Sequence, residues 1–185
     1  MRVSGFIPIP DPKINRVPIA QSSIALLEAL SEYTHDAEKD LHLPVRIQKN
    51  GEEQSYRPPD VYLMRLTDSK SAQKKAPYIL HQLVTFRNQQ ERGEDLESFA
   101  LVRSIFCAYC DDEQEGSLYL LNMMERFRIP LLANPLIGKG GQFELNLQEG
   151  LESLIYPDDT APYFVGETMT TWRIPPVKRE VPQIW

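Results

Sequence analysis

Phe99-Ala-Leu-Val-Arg-Ser-Ile-Phe-Cys-Ala-Tyr109 is the stretch on which the fold turns. Read with the two-residue period of a strand, Phe99, Leu101, Ile105 and Tyr109 fall on one face, and Ala100, Val102, Phe106 and Ala108 on the other. A strand apolar on both faces belongs at the centre of a sheet, packed on two layers or on one layer and a neighbouring subunit. Upstream of it, Val61 to Leu66 and Tyr78 to Phe86 read as further strands, separated by polar loops. Downstream, the acidic run Asp111 to Glu115 opens a helix, where carboxylates suit the positive end of the helix dipole. Leu120, Leu121, Met124, Phe127 and Leu131 follow helical spacing. Pro130 falls inside that run, which predicts a kink or a stop near Arg128.

The outer segments complete the pattern. Residues 22 to 34 read as a first helix, capped by Ser22 or Ser23 and apolar at Ile24, Leu27 and Leu30 with Tyr33 or Thr34. Asn50-Gly51, between Val45 to Lys49 and Gln54 to Tyr56, predicts a type I′ hairpin. Phe143, Leu145 and Leu147 alternate with polar residues, Gly150 turns the chain, Leu151 to Tyr156 returns, and Phe164 to Ile174 is the last strand. Residues 1 to 19 hold Pro8, Pro10, Pro12 and Pro18, and 175 to 185 are again Pro-rich, so both read as extended arms, because proline fixes φ and donates no ladder hydrogen bond. The expectation is an α+β fold in which two main helices cover one face of a mainly antiparallel sheet. It is organised as an N-terminal arm (1–19), a single domain (20–174) and a C-terminal arm (175–185).

The net charge of −6, with Lys and Arg scattered, argues against a duplex-binding surface, which clusters basic residues. No stretch approaches the apolar length of a membrane span or a signal peptide, and a pair of cysteines makes no disulfide framework, so the expected setting at synthesis is the cytoplasm.

Few residues suggest chemistry. Cys107-Ala-Tyr-Cys110 matches a C-x-x-C, but such redox motifs open a helix, whereas these thiols lie in or at the end of a strand, where period two sends them to opposite faces. Two core cysteines are the expectation. His35, His42 and His81 read as solvated surface histidines; on a helix, His35 and His42 would stand about 10 Å apart, too far for one metal ion. Gly138-Lys-Gly-Gly141 lacks the remaining residues of a phosphate loop and reads as a loop before a hairpin. No catalytic triad is legible, and no enzyme, metal or cofactor is expected. Aromatic anchors are a different matter: Trp172 and Trp185, with Lys178 and Arg179 of the second arm, are the candidate interface residues.

The C-terminal half also follows a familiar order. The strand from Phe99 runs through the acidic turn Cys110-Asp-Asp-Glu-Gln-Glu-Gly116 into a helix with Leu121-Asn-Met-Met-Glu-Arg-Phe-Arg128. Phe143-Glu-Leu follows, and then Pro162-Tyr-Phe-Val-Gly-Glu-Thr-Met-Thr-Thr-Trp-Arg-Ile-Pro-Pro176. Over roughly residues 77 to 180 this resembles the tail-terminator and tail-completion proteins of long-tailed bacteriophages, with the Gly166-Glu167 and Thr170-Thr171-Trp172 pairing the most specific part. Pro130 and residues 1 to 75 depart from that pattern. The resemblance implies a structural virion protein of the tail neck, assembled in the host cytoplasm. It implies a hexameric ring that caps the tail tube, meets the head-side connector and lets DNA pass through its lumen. The alternatives are another neck or minor tail protein, such as a head-tail connector, or a C-x-x-C redox or metal protein.

Overall fold

In the computed structural model, which describes residues 19–20, 22–46, 53–66, 75–156 and 161–177, the quoted stretch is the middle of β5 (Glu97–Tyr109). β5 pairs antiparallel along its length with β4 (Tyr78–Gln89) on one side and with β9 (Tyr163–Ile174) on the other. Flanked on both edges, β5 turns Ala100, Val102, Phe106 and Ala108 towards the main core, while Cys107 and Tyr109 join a smaller cluster at one end of its other face. Beyond β4 lies β3 (Asp60–Leu63), a parallel neighbour of Tyr78–His81. Beyond β9 two strands share one edge: β7 (Phe143–Leu145) at Trp172 and Arg173, and β8 (Leu151–Ile155) at Gly166 to Thr170. β6 (Leu136–Ile137) closes that side against β7. Leu151 to Tyr156 therefore does not return along Phe143–Leu145. Gly150, at φ +80°, turns the chain so that β8 continues down the same edge of β9.

Both helices pack on one face. α1 (Ser23–Glu38) is capped by Ser22, whose hydroxyl accepts from the Ala25 amide. α2 (Glu113–Ala133) is capped by Asp112, whose carboxylate accepts from the Glu115 amide. The main core joins Leu26, Leu27 and Leu30 of α1 and Leu120, Met123, Met124, Phe127 and Leu131 of α2 to Ile79, Ala100, Val102, Phe106, Ala108 and Trp172 of the sheet. The opposite face carries a smaller cluster at one end, built on Tyr78, Leu80, Cys107, Tyr109 and Tyr163.

Three details differ from the sequence reading. α1 runs on to Glu38 and buries Leu26, Leu27, Leu30, Thr34 and Glu38, leaving Ile24 exposed. α2 continues through Pro130 to Ala133. A proline in the last turn forfeits only the bond to the Arg126 carbonyl, the Asn134 amide closes the turn on the Pro130 carbonyl (2.9 Å), and Phe127 and Leu131 stay buried on either side. The hairpin arms pair as β1 (Leu43–Pro44), just before the expected first strand, with β2 (Tyr56–Arg57), which overlaps the expected return strand only at Tyr56; Asn50-Gly51 lies outside the described residues, as does most of each arm.

Glycine brings α2 against β9 at two points. A Cβ at Gly116 would overlap the Phe164 ring, and one at Gly166 would press on Met124 Sδ (2.7 Å). Gly116→Ala is expected to lower unfolding stability by about 1–3 kcal/mol through overpacking. Gly166→Ala, facing the flexible Met124, is expected to cost less. Urea unfolding followed by circular dichroism separates the two.

Candidate functional site

Cys107 lies within β5 and Cys110 just after it, ahead of α2 rather than in its first turn. Cys107 is buried on β5 beside Tyr78, and burial pushes its thiol up to about 12, away from the thiolate that redox chemistry needs. Cys110, half-buried, follows the end of the strand, with its amide held by the Pro162 carbonyl (3.0 Å); both thiols are free. Gly138, Gly140 and Gly141 all have positive φ and form the tight turn between β6 and β7.

His35 and His42 are exposed, but His81 is not a surface residue: it is wholly buried. The Thr34 hydroxyl donates to the Leu30 carbonyl (2.7 Å), so it accepts from His81 Nε2–H (2.9 Å). The Ser104 hydroxyl then donates to Nδ1 (2.8 Å). His81 thus ties α1 to β5 through β4 as a neutral imidazole, with Phe127 5.9 Å away, centroid to centroid. Burial lowers its pKa to about 3, and His35 pushes the same way. Glu38, one turn beyond Thr34, is buried with neither carboxyl oxygen hydrogen-bonded. Burial raises its pKa to about 8, with Arg126 pulling against that shift.

Trp172, a candidate interface residue, is also wholly buried, with its indole N–H donated to Thr170 Oγ1 (2.9 Å). It lies on the helix-facing side of β9, so it anchors the core and is not available to a partner. Lys178, Arg179 and Trp185 lie outside the described residues.

The exposed apolar groups sit elsewhere. On α2, the buried face of Gly116, Leu120, Met123, Met124, Phe127 and Leu131 is opposed by Leu118 (51 % exposed), Leu121, Ile129 (55 % exposed) and Leu132. At 100° per residue these four fall within one narrow stripe, on the side away from the sheet. Only Glu125, paired with Arg128 (2.7 Å), interrupts it. A helix apolar on two opposite sides is characteristic of one buried on both. The sequence signal was present in the spacing of 118, 121, 129 and 132, but a single-stripe reading absorbs Leu121 into the core face and passes over the rest.

Compared with protein-family models and with curated protein sequences, the chain matches none.

The face of the sheet away from the helices carries ion pairs. Arg103 of β5 pairs with Glu167 of β9, and Arg87 of β4 reaches Glu149. Arg173 lies between Glu97 and Glu144, and it and Arg87 both stack on the Phe99 ring. The Gly166-Glu167 and Thr170-Thr171-Trp172 motif has a structural meaning here: close approach to α2, an ion pair to β5, and a buried indole with its hydrogen-bond partner.

Proposed function

We propose that the chain is a structural assembly protein of the phage tail-terminator type, forming a ring that caps the tail tube and meets the head-side connector. The observation that carries this reading is the second apolar stripe of α2. Leu118, Leu121, Ile129 and Leu132 offer a protein-sized contact along a rigid element, where an isolated soluble domain would place polar residues. The ordered block of β5, α2 and β9 accords with the tail-terminator resemblance. In this reading the outer stripe meets neighbouring virion proteins and DNA only passes through the lumen.

Light scattering on the purified chain is expected to give a ring, or a monomer that rings on added tail tubes. A chain that stays monomeric and binds no tubes overturns the proposal. L118K/I129K is expected to keep its far-UV circular dichroism and melting temperature while binding tubes at least tenfold more weakly. Deletion of residues 175 to 185 is expected to weaken assembly in the same way, through loss of Trp185 as an anchor. A deletion that assembles normally removes the arm from the proposal and leaves the stripe.

A further inference from the structure

The sheet has free edges on opposite sides, and their chemistry matches. On one side, β3 covers β4 only as far as His81. Met64, at φ +64°, then turns the chain away, and its carbonyl and thioether meet the Gln82 side chain (3.0 Å) and the Leu83 amide (3.3 Å). From Val84 to Gln89, among the described residues, no strand pairs with the outer edge of β4, and Val84 and Phe86 (64 % exposed) stand out there. On the other side, among the described residues, β8 pairs with β9 alone, and Leu154 and Ile155 are exposed. Long bare edges carrying apolar residues are templates for strand addition unless something covers them.

We infer that a second copy of this chain covers each edge: β8 of one subunit adds antiparallel to residues 84–89 of β4 in the next. This deepens the ring reading and rests on it. Three features select this pairing. Strand direction alternates through β4, β5, β9 and β8, so in copies related by rotation the neighbour's β4 continues the alternation; the registers put β8 level with Ile79–Leu83 of its own β4, so the pairing with 84–89 requires an axis inclined to the strands, as in a closed barrel, to supply the stagger. The registers place Phe86 on the same face as Leu151 and Ile155, through Ala100, Trp172 and Thr170, and place Arg87 on the same face as Glu152, through Phe99, Arg173 and Met169. The edges are also opposite in charge: residues 84–89 carry Arg87 and no acid, whereas 151–155 carry Glu152 and no base. Because the joined surfaces differ, each contact leaves one edge of either kind free, which is what a closed ring requires.

Val84→Lys/Phe86→Lys blocks the β4 edge and Leu154→Lys/Ile155→Lys the β8 edge, all four at exposed positions. Under conditions where the wild type forms rings, native mass spectrometry is expected to find each variant monomeric and a 1:1 mixture of the two to form heterodimers, since each supplies the edge the other lacks. Heterodimer formation also shows that both variants fold. Rings that persist in either variant overturn the edge pairing and leave the ring reading standing. Homodimers of one variant alone, or a mixture that stays monomeric, also overturn head-to-tail pairing. A wild type that forms no ring under any condition overturns both.

Discussion

Trp172→Ala is expected to lower the stability of the fold by about 3–5 kcal/mol, the range for removing a large aromatic side chain from a packed core. The indole is wholly buried in the core that joins the helices to the sheet, and its loss opens a cavity where β9, β5 and β7 converge. It also removes the partner of Thr170 Oγ1, which keeps only a long bond to the Val102 carbonyl (3.3 Å). Against a total stability of roughly 5–15 kcal/mol, that is enough to bring the chain near its unfolding threshold. In urea unfolding followed by far-UV circular dichroism, the midpoint falls steeply for Trp172→Ala and less for Trp172→Phe. A loss below about 1 kcal/mol for the alanine variant would contradict the packing described for β9.

Glu38→Met is expected to stabilise the protein above neutral pH, by on the order of a few kcal/mol at pH 8 and higher. Methionine has similar reach and no charge, whereas the wild-type carboxyl is buried without a hydrogen-bond partner. The sign follows from linkage. The folded-state pKa of about 8 lies above the usual 4.5, so between those values the folded state binds the extra proton and stability falls as pH rises. The gap between wild type and variant should open through that window at about 1.4 kcal/mol per pH unit and level off beyond pH 8. His81 works in the opposite direction. Its folded pKa of about 3 lies below the usual 6.5, so the unfolded state takes up the proton first and stability falls as pH drops from 6.5 towards 3. Between pH 4.5 and 6.5 the two slopes oppose one another. These two groups therefore place the wild type's stability maximum in that interval, and removing Glu38 should extend it towards alkaline pH. Chemical denaturation from pH 4 to 9 checks both slopes. A wild-type and Glu38→Met difference that does not change with pH would show that Glu38 is ionised in the folded state throughout.

How much of this was legible beforehand depended on whether a residue's surroundings lay near it in sequence. The class of the fold was legible because periodicity is local: apolar residues on both faces of Phe99–Tyr109 mark a central strand, and Ser22 and the acidic run before α2 mark helix starts. Pro130 misled because its effect depends on how many ladder bonds remain beyond it. His81 misled because nothing adjacent shows that Thr34, 47 residues earlier, supplies its acceptor and Ser104, 23 residues later, its donor. The proposed assembly surface was half legible. Leu118, Leu121, Ile129 and Leu132 have helical spacing, but which of two apolar stripes faces the sheet is decided by where β9 and β5 lie.

The sequence by itself determined the main helices and strands and the mainly antiparallel character of the sheet, since these follow from spacing along a few residues. Only the tertiary structure decided that Trp172 is a core residue, that β7 and β8 share one edge of β9, that Glu38 and His81 are buried, and that, among the described residues, no strand lies outside residues 84–89 or β8. Those are properties of what stands next to a residue in space, and chain order does not carry that information.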